Sequence, residues 1–256
     1  MKILVALKQV PAGDSHLKLA PDARWIDESD LTFETNEPDA YALEEALQLK
    51  EKHGGEVVVL CAGPARSTSS IMGALAKGAD RAIHIEEPNL GAYDTLGLAR
   101  LLAAAAAPEQ ADLILTGLQT DDLGQGQTGV VMAELLGLPH AAIVIEVEFR
   151  DGALYVKREL EDGWFQHVTL PTPALLTVQS GISRLRYATL MGIKNAKTKE
   201  IRRLTAAALG AAPAPSAALV RMAAPPHVKR TQIITGSPRE AAAALVERLK
   251  FEVRVL

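Results

Sequence analysis

Short apolar runs alternate with longer amphipathic stretches through the first half of the chain. Residues 3–7, 57–62, 82–85 and 113–115 are near-continuous apolar runs of strand length, separated by segments long enough for helices. That order predicts an open, mainly parallel, Rossmann-like α/β sheet with flanking helices. Within residues 39–53, Leu43, Ala46, Leu47 and Lys50 recur at helical spacing, with Glu44, Glu45, Gln48 and Glu51 between them. Gly54 and Gly55 follow, so the pattern predicts an amphipathic helix with a glycine stop. Further helices are predicted over 68–77 and 93–107, the latter ended by Pro108, and another starts near Gln127.

Beyond Pro139 the period changes. Residues 142–149 and 153–160 read as strands joined through Arg150, Asp151 and Gly152, and Asp-Gly between two such runs signals a hairpin. Residues 205–226 are rich in alanine and proline, with little charge, and read as a linker or extended arm. Ser237, Pro238 and Glu240 then supply an N-cap, a first-turn proline and a capping-box acid for a helix reaching about residue 250. Such an arm either packs on its own core or reaches across to another chain.

A 256-residue chain that is 48% hydrophobic can bury a large core, so disorder is not expected. The formal net charge of −4 lacks the basic footprint that nucleic-acid binding requires. Cys61, alone of its kind, lies in an apolar run and reads as a small core residue of a protein in a reducing compartment. The opening MKILVALKQV lacks the features of a signal peptide, and the apolar run 96–107 carries Arg100 and is too short to span a membrane. A cytoplasmic protein without membrane insertion is expected.

The candidate chemistry is that of binding. Residues 117–129, GLQTDDLGQGQTG, fall between a predicted strand and a predicted helix, where parallel sheets place their ligands. Gly124, Gly126 and Gly129 let backbone amides approach an anion, and Gln127 and Thr128 stand at the positive end of the next helix. A mononucleotide phosphate suits this loop; a glycine-rich turn capped by Asp121 and Asp122 is the alternative. No Gly-Lys-Ser/Thr occurs, so it is not a Walker A loop. Asn36–Asp39 reads by itself as an ordinary helix cap.

The histidines at 16, 53, 84, 140, 167 and 227 have no metal-ligand spacing, and His84, between Ile83 and Ile85, reads as a satisfied, half-buried strand residue. No Gly-x-Ser-x-Gly elbow occurs. Glu159, Glu161 and Asp162 read as a solvated turn rather than an acid/base pair. In residues 186–200, Leu190 and Met191 precede Lys194, Lys197 and Lys199. This is either a docking surface, with an apolar anchor and a charged rim, or a short helix whose apolar residues pack on the core.

Residues 156–178, VKRELEDGWFQHVTLPTPALLTV, resemble the signature of the electron transfer flavoprotein beta subunit, with Val156, Arg158, Glu161, Asp162, Gly163, Gln166, Val168, Pro173, Leu175 and Leu176 at its spacing. The similarity extends through ILVALKQV, the YALEEALQLKEK helix, ALAKGADRAIHI, the glycine-rich loop and RYATL, and covers most of residues 1–200. The resemblance implies a heterodimer whose alpha subunit holds most of an FAD, while this chain binds AMP and performs no bond chemistry of its own. Electrons would pass from flavin dehydrogenases to a quinone-linked oxidoreductase or similar acceptor. The AMP residues it implies are Ala6, Asn36, Glu37, Pro38, Asp39 and Ala62, together with Gly117, Leu118, Gln119, Thr120, Asp121, Asp122, Leu123, Gly124, Gln125, Gly126, Gln127 and Thr128. Leu118 stands where many relatives have lysine, and Gly126 replaces a polar residue.

The resemblance also implies a recognition loop within about 184–200, with Leu190 as the anchor and Met191, Lys194, Lys197 and Lys199 beside it. It divides the chain into a core over 1–200 and an arm with a helix over 201–256 that contacts the alpha subunit. In some relatives a second FAD takes the AMP place. Two other readings stand beside this one. A stand-alone adenine-nucleotide-binding protein resembling universal stress proteins would explain the core alone, and an ATP-pyrophosphatase would need an N-terminal phosphate loop that KQVPAG does not provide.

Overall fold

The computed structural model describes residues 1–210, 215–217, 219–226 and 231–255; His227 and parts of the expected linker lie outside them. Two compact units are present, Met1–Val220 and Arg221–Leu256.

The first unit begins with β1 (Lys2–Leu7), β2 (Gln9–Pro11), β3 (Phe33–Thr35), α1 (Glu37–His53) and β4 (Glu56–Gly63). It continues through α2 (Thr68–Lys77), β5 (Arg81–Glu86), α3 (Thr95–Ala106), β6 (Leu113–Gly117) and α4 (Thr128–Leu136). Then come β7 (His140–Arg150), β8 (Ala153–Glu159), β9 (Phe165–Pro171), β10 (Ala174–Val178), α5 (Leu190–Ala196) and β11 (Ile201–Leu204). The second unit contains α6 (Pro238–Arg248), which passes into a π-helical turn over Leu249–Val253.

Strand alternation sorts the apolar side chains into two cores. Ile3, Val5, Val57 and Val59 meet Leu43 and Leu47 of α1 and Ile71 and Leu75 of α2 on one face. Leu4, Val58 and Leu60 meet Leu101 of α3 and Met132 of α4 on the other. This two-sided burial is why the strands read as continuous apolar runs.

Nine strands form one sheet in the order β11-β5-β4-β1-β6-β10-β7-β8-β9. β11 through β7 pair in parallel, and β7, β8 and β9 pair antiparallel. The chain moves outward from β1 to β4 and β5, then returns to the far side of β1 with β6. The order therefore reverses between β1 and β6, and in open α/β sheets ligands bind at the carboxyl ends of strands flanking such a point.

The Asp-Gly hairpin forms as expected. Asp151 and Gly152 both have positive φ, 51° and 77°, the backbone that matches strand twist in a two-residue turn. The signature segment 156–178 builds β8, the tip at Glu161–Gly163, β9 and β10. Glu161 and Asp162 are exposed at that tip, as a turn requires. β11 extends the parallel sheet past residue 200 by pairing Ile201–Leu204 with β5, so the first unit runs to Val220. In the second unit, Ser237 and Glu240 form the capping box reciprocally at the start of α6.

Candidate functional site at the strand-order reversal

The carboxyl ends of β1 and β6 are joined by two side chains from the start of α1. Asp39, buried in the first turn, accepts the Lys8 amide at Oδ2 (2.7 Å) and the Gly117 amide at Oδ1 (2.9 Å). Asn36, fully buried, donates from Nδ2 to the Gln119 carbonyl (2.9 Å) and accepts the Asp121 amide at Oδ1 (2.9 Å). Its side chain makes no capping bond to its own helix, so the ordinary cap expected at this position is instead a brace between α1 and the glycine-rich loop.

The loop's glycines serve different ends. A Cβ on Gly117 would lie 2.4 Å from Asp39 Oδ1 and 2.7 Å from Pro38 Cβ, so the close approach of α1 demands glycine there. Gly124 and Gly126 have φ of 61° and 63°, the left-handed region. A Cβ on Gly129 would strike Thr116 Oγ1 at 2.5 Å, which sets α4 tight against β6.

The loop acids are engaged by the protein itself. Lys8 Nζ contacts Asp122 at 2.6 Å, and Asp121 Oδ2 accepts the Glu37 amide at 3.2 Å. The Thr95 hydroxyl bonds the Gln125 side-chain oxygen, tying the loop to α3. In contrast, no side chain caps α4, and the side chains of Gln127 and Thr128 make no hydrogen bond among the described residues. Uncapped amides at a helix N-terminus, with its partial positive charge, favour an anion. Ala6 and Ala62 are small buried residues near the carboxyl ends of the adjacent strands β1 and β4.

The recognition candidate has a different build. Thr189 Oγ1 accepts the Gly192 amide (3.0 Å) and caps α5. A Cβ on Gly192 would lie 2.2 Å from the Ala76 carbonyl oxygen, so α5 rests closely on α2 through Gly192 and buried Ala196. Leu190 and Met191 remain 88% and 64% exposed, and the packing of α5 does not use them.

Residues 24–209 match the family model for the electron transfer flavoprotein domain. The chain is 36% identical over 256 residues to the electron transfer flavoprotein subunit beta of Methylophilus methylotrophus, with 96% of this chain and 97% of that protein aligned. It is 34% identical to the mitochondrial electron transfer flavoprotein subunit beta of Oryza sativa subsp. japonica over the whole of both chains, and 34% identical to the electron transfer flavoprotein subunit beta of Sus scrofa over 98% of this chain and 97% of that one. The chain belongs to the electron transfer flavoprotein family, as a beta subunit.

In this beta subunit, Asn36–Asp39 and Gly117–Thr128 come together at the reversal point, with Ala6 and Ala62 on the neighbouring strand ends. The sequence reading overlooked Lys8, whose amide, carbonyl and ammonium bond Asp39, Asn36 and Asp122 respectively. Its position directly after the first strand, with two loop acids needing a counter-charge, was the available signal. On α5, Leu190, Met191 and Lys194 are exposed, and Lys197 follows exposed at its end. Lys199 departs from them: its ammonium donates to the carbonyls of Leu75 (3.0 Å) and Ala79 (2.5 Å) at the end of α2.

Electrostatics fit a binding role. Burial pushes the Asp39 carboxyl up to about 7, against the opposing amides of Lys8 and Gly117. Burial pushes the Cys61 thiol up to about 12, which leaves no thiolate at neutral pH. His84 is fully rather than half buried and only partly satisfied: Nε2 lies 3.1 Å from the Gly63 carbonyl, Nδ1 has no hydrogen-bond partner among the described residues, and burial lowers its pKa. Among the described residues no helix is long and apolar enough to cross a membrane.

Proposed function

We propose that this beta subunit binds AMP at the reversal between β1 and β6 and, paired with an alpha subunit, completes the surroundings of an FAD held mainly by that partner. The assembly carries electrons from flavin dehydrogenases to a quinone-linked or similar acceptor. The observation that carries the AMP assignment is the uncapped start of α4 beside loop acids already engaged elsewhere. With Asp122 paired to Lys8 and Asp121 bonded to the Glu37 amide, the start of α4 offers a phosphate amides and the side chains of Gln127 and Thr128.

When bound, the flavin supplies the redox chemistry; the protein contributes binding, orientation and electrostatics. Asn36 and Asp39 tie the loop and the strand ends to the start of α1 through hydrogen bonds within the protein. Leu190, with Met191 and the ammonium groups of Lys194 and Lys197, offers a dehydrogenase an apolar anchor with a charged rim. That combination favours fast, reversible encounter.

The test is to purify the complex with its co-expressed alpha subunit, denature it, and quantify the released nucleotides by chromatography and mass spectrometry. Equimolar FAD and AMP are expected. Two equivalents of FAD without AMP would transfer the crevice to a second flavin, and a flavin-free homodimer would overturn the assignment.

A further inference from the structure

We propose that Arg186 is a positioning residue for electron transfer, holding the segment that leads into α5 against α1 so that Leu190 and Met191 are set in place before a partner arrives. The proposal rests on the reading of α5 as the docking element.

Arg186 lies one helical turn ahead of Leu190 in sequence and engages two carboxylates at once. Nε and Nη2 donate to Glu44 at 2.8 and 2.9 Å, and Nη1 and Nη2 donate to Glu51 at 2.5 and 3.2 Å. The Arg186 amide adds a bond to Glu44 at 3.2 Å, and Gln48 Nε2 donates to Glu44 at 2.9 Å. Glu44, Gln48 and Glu51 recur at helical spacing, so α1 devotes one stripe of its surface to an arginine 142 residues away from Glu44.

Stability alone does not explain this arrangement. The Glu44 side chain is almost completely buried, and a buried ion pair stabilises a fold no better than apolar residues of similar volume. What the guanidinium adds is geometry, because its planar fork fixes direction as well as contact.

Beyond α5, Lys199 holds the chain to the α2 carbonyls, and the close fit of Gly192 on Ala76 seats the helix between the two fastenings. Residues carried by this segment would otherwise have every reason to collapse, since Tyr187 is 94% exposed and Leu190 follows it. A loose segment would have to be ordered on each encounter, and that entropy is charged against docking rather than against electron transfer within the complex.

The experiment uses the complete alpha–beta heterodimer and a flavin dehydrogenase chosen because it reduces the wild-type complex. Arg186→Gln, Glu51→Gln, Leu190→Ala and the double variant Arg186→Gln/Leu190→Ala are compared. Glu51→Gln alters the outer carboxylate and leaves the Arg186–Glu44 pair whole, so the proposal remains testable if Arg186→Gln folds poorly. Amide exchange over residues 185–196 is measured by mass spectrometry, alongside KM and kcat for dehydrogenase-driven reduction and the rate of reduction by dithionite.

We expect faster exchange across the segment in Arg186→Gln, with KM for the carrier raised about tenfold and kcat, dithionite reduction and bound flavin unchanged. Glu51→Gln should move exchange and KM in the same direction by less. Leu190→Ala should raise KM without faster exchange, and Arg186→Gln should add little in that background, because both act through one contact. Unchanged exchange in both clamp variants, or fully additive KM effects, would overturn the proposal. An unchanged KM in Leu190→Ala would remove the docking reading itself, and the exchange data would show separately whether the clamp orders the segment.

Discussion

Asp39 uses each carboxylate oxygen for a different strand end, Oδ2 for the Lys8 amide after β1 and Oδ1 for the Gly117 amide closing β6. Replacing it with asparagine keeps the shape but turns an NH2 group toward one of those donors, leaving a buried amide unpaired. Asp39→Asn should therefore destabilise the chain by about 1–3 kcal/mol, read by thermal unfolding, and lower the AMP recovered with the complex. Two glycines of the same loop separate sterics from backbone preference. Gly117→Ala forces Cβ into Asp39 and Pro38 and should cost about 1–3 kcal/mol as well as the nucleotide. Gly124→Ala meets nothing within 4 Å but keeps a φ of 61°, so it should cost only about 1 kcal/mol. Equal losses in the two alanine variants, measured by the same unfolding assay, would contradict this division. Asn36 shows why the sequence alone misjudged such a residue: as a local pattern it reads as a cap, but its partners Gln119 and Asp121 lie 83 and 85 positions away.

On α1, two adjacent carboxylates respond to opposite surroundings. Burial raises Glu44, but hydrogen bonds from Arg186 and Gln48 more than offset it and hold its carboxyl below the usual range. Glu45, with no such partner among the described residues, is pushed up to about 7, first by burial and then by the charge of Glu44. In the pH interval between its ordinary value of 4.5 and about 7, the folded state keeps a proton on Glu45 that the unfolded state releases. Stability from this group is thus present at low pH and lost as pH rises through 7, by at most about 3 kcal/mol. Glu45→Gln should raise Tm at pH 8 and flatten its fall between pH 5 and 8, as calorimetry at several pH values would register; an unchanged pH profile would refute the assignment. The helix itself was legible, because its apolar spacing and its Gly54 stop are local features. The same holds for the Asp-Gly hairpin and the capping box of α6. β11 was not legible: Ile201–Leu204 carries two arginines, which acquire meaning only beside Glu86 of β5 and Glu109, where Arg203 and Arg202 find their acids at 2.8 and 3.9 Å. In α5, likewise, sequence spacing left docking and core packing open, and the distinction lay in Gly192 and Ala196 doing the packing.

At the scale of the molecule, the sheet order determines where the candidate site lies, since only the return of β6 to the far side of β1 brings Lys8, α1 and the glycine-rich loop together. That order follows from long-range pairing, which strand-length runs predict in kind but not in sequence of neighbours. The division into units has a consequence for assembly. Met1–Val220 contains both apolar cores and every element of the crevice and of α5, whereas Arg221–Leu256 has its own capped helix and no buried residue among those described. Its Leu245, Val246, Phe251 and Val253 are exposed apolar side chains of the kind a partner surface covers. We expect a chain truncated after Val220 to retain its α/β circular-dichroism spectrum and cooperative unfolding, because no core residue is lost. We also expect it to lose stable association with the alpha subunit in gel filtration, because the apolar segment then has nothing to contribute. A truncated chain that still co-elutes with the alpha subunit at wild-type strength would assign pairing to the first unit alone; one that unfolds would make Arg221–Leu256 part of the fold rather than of the assembly.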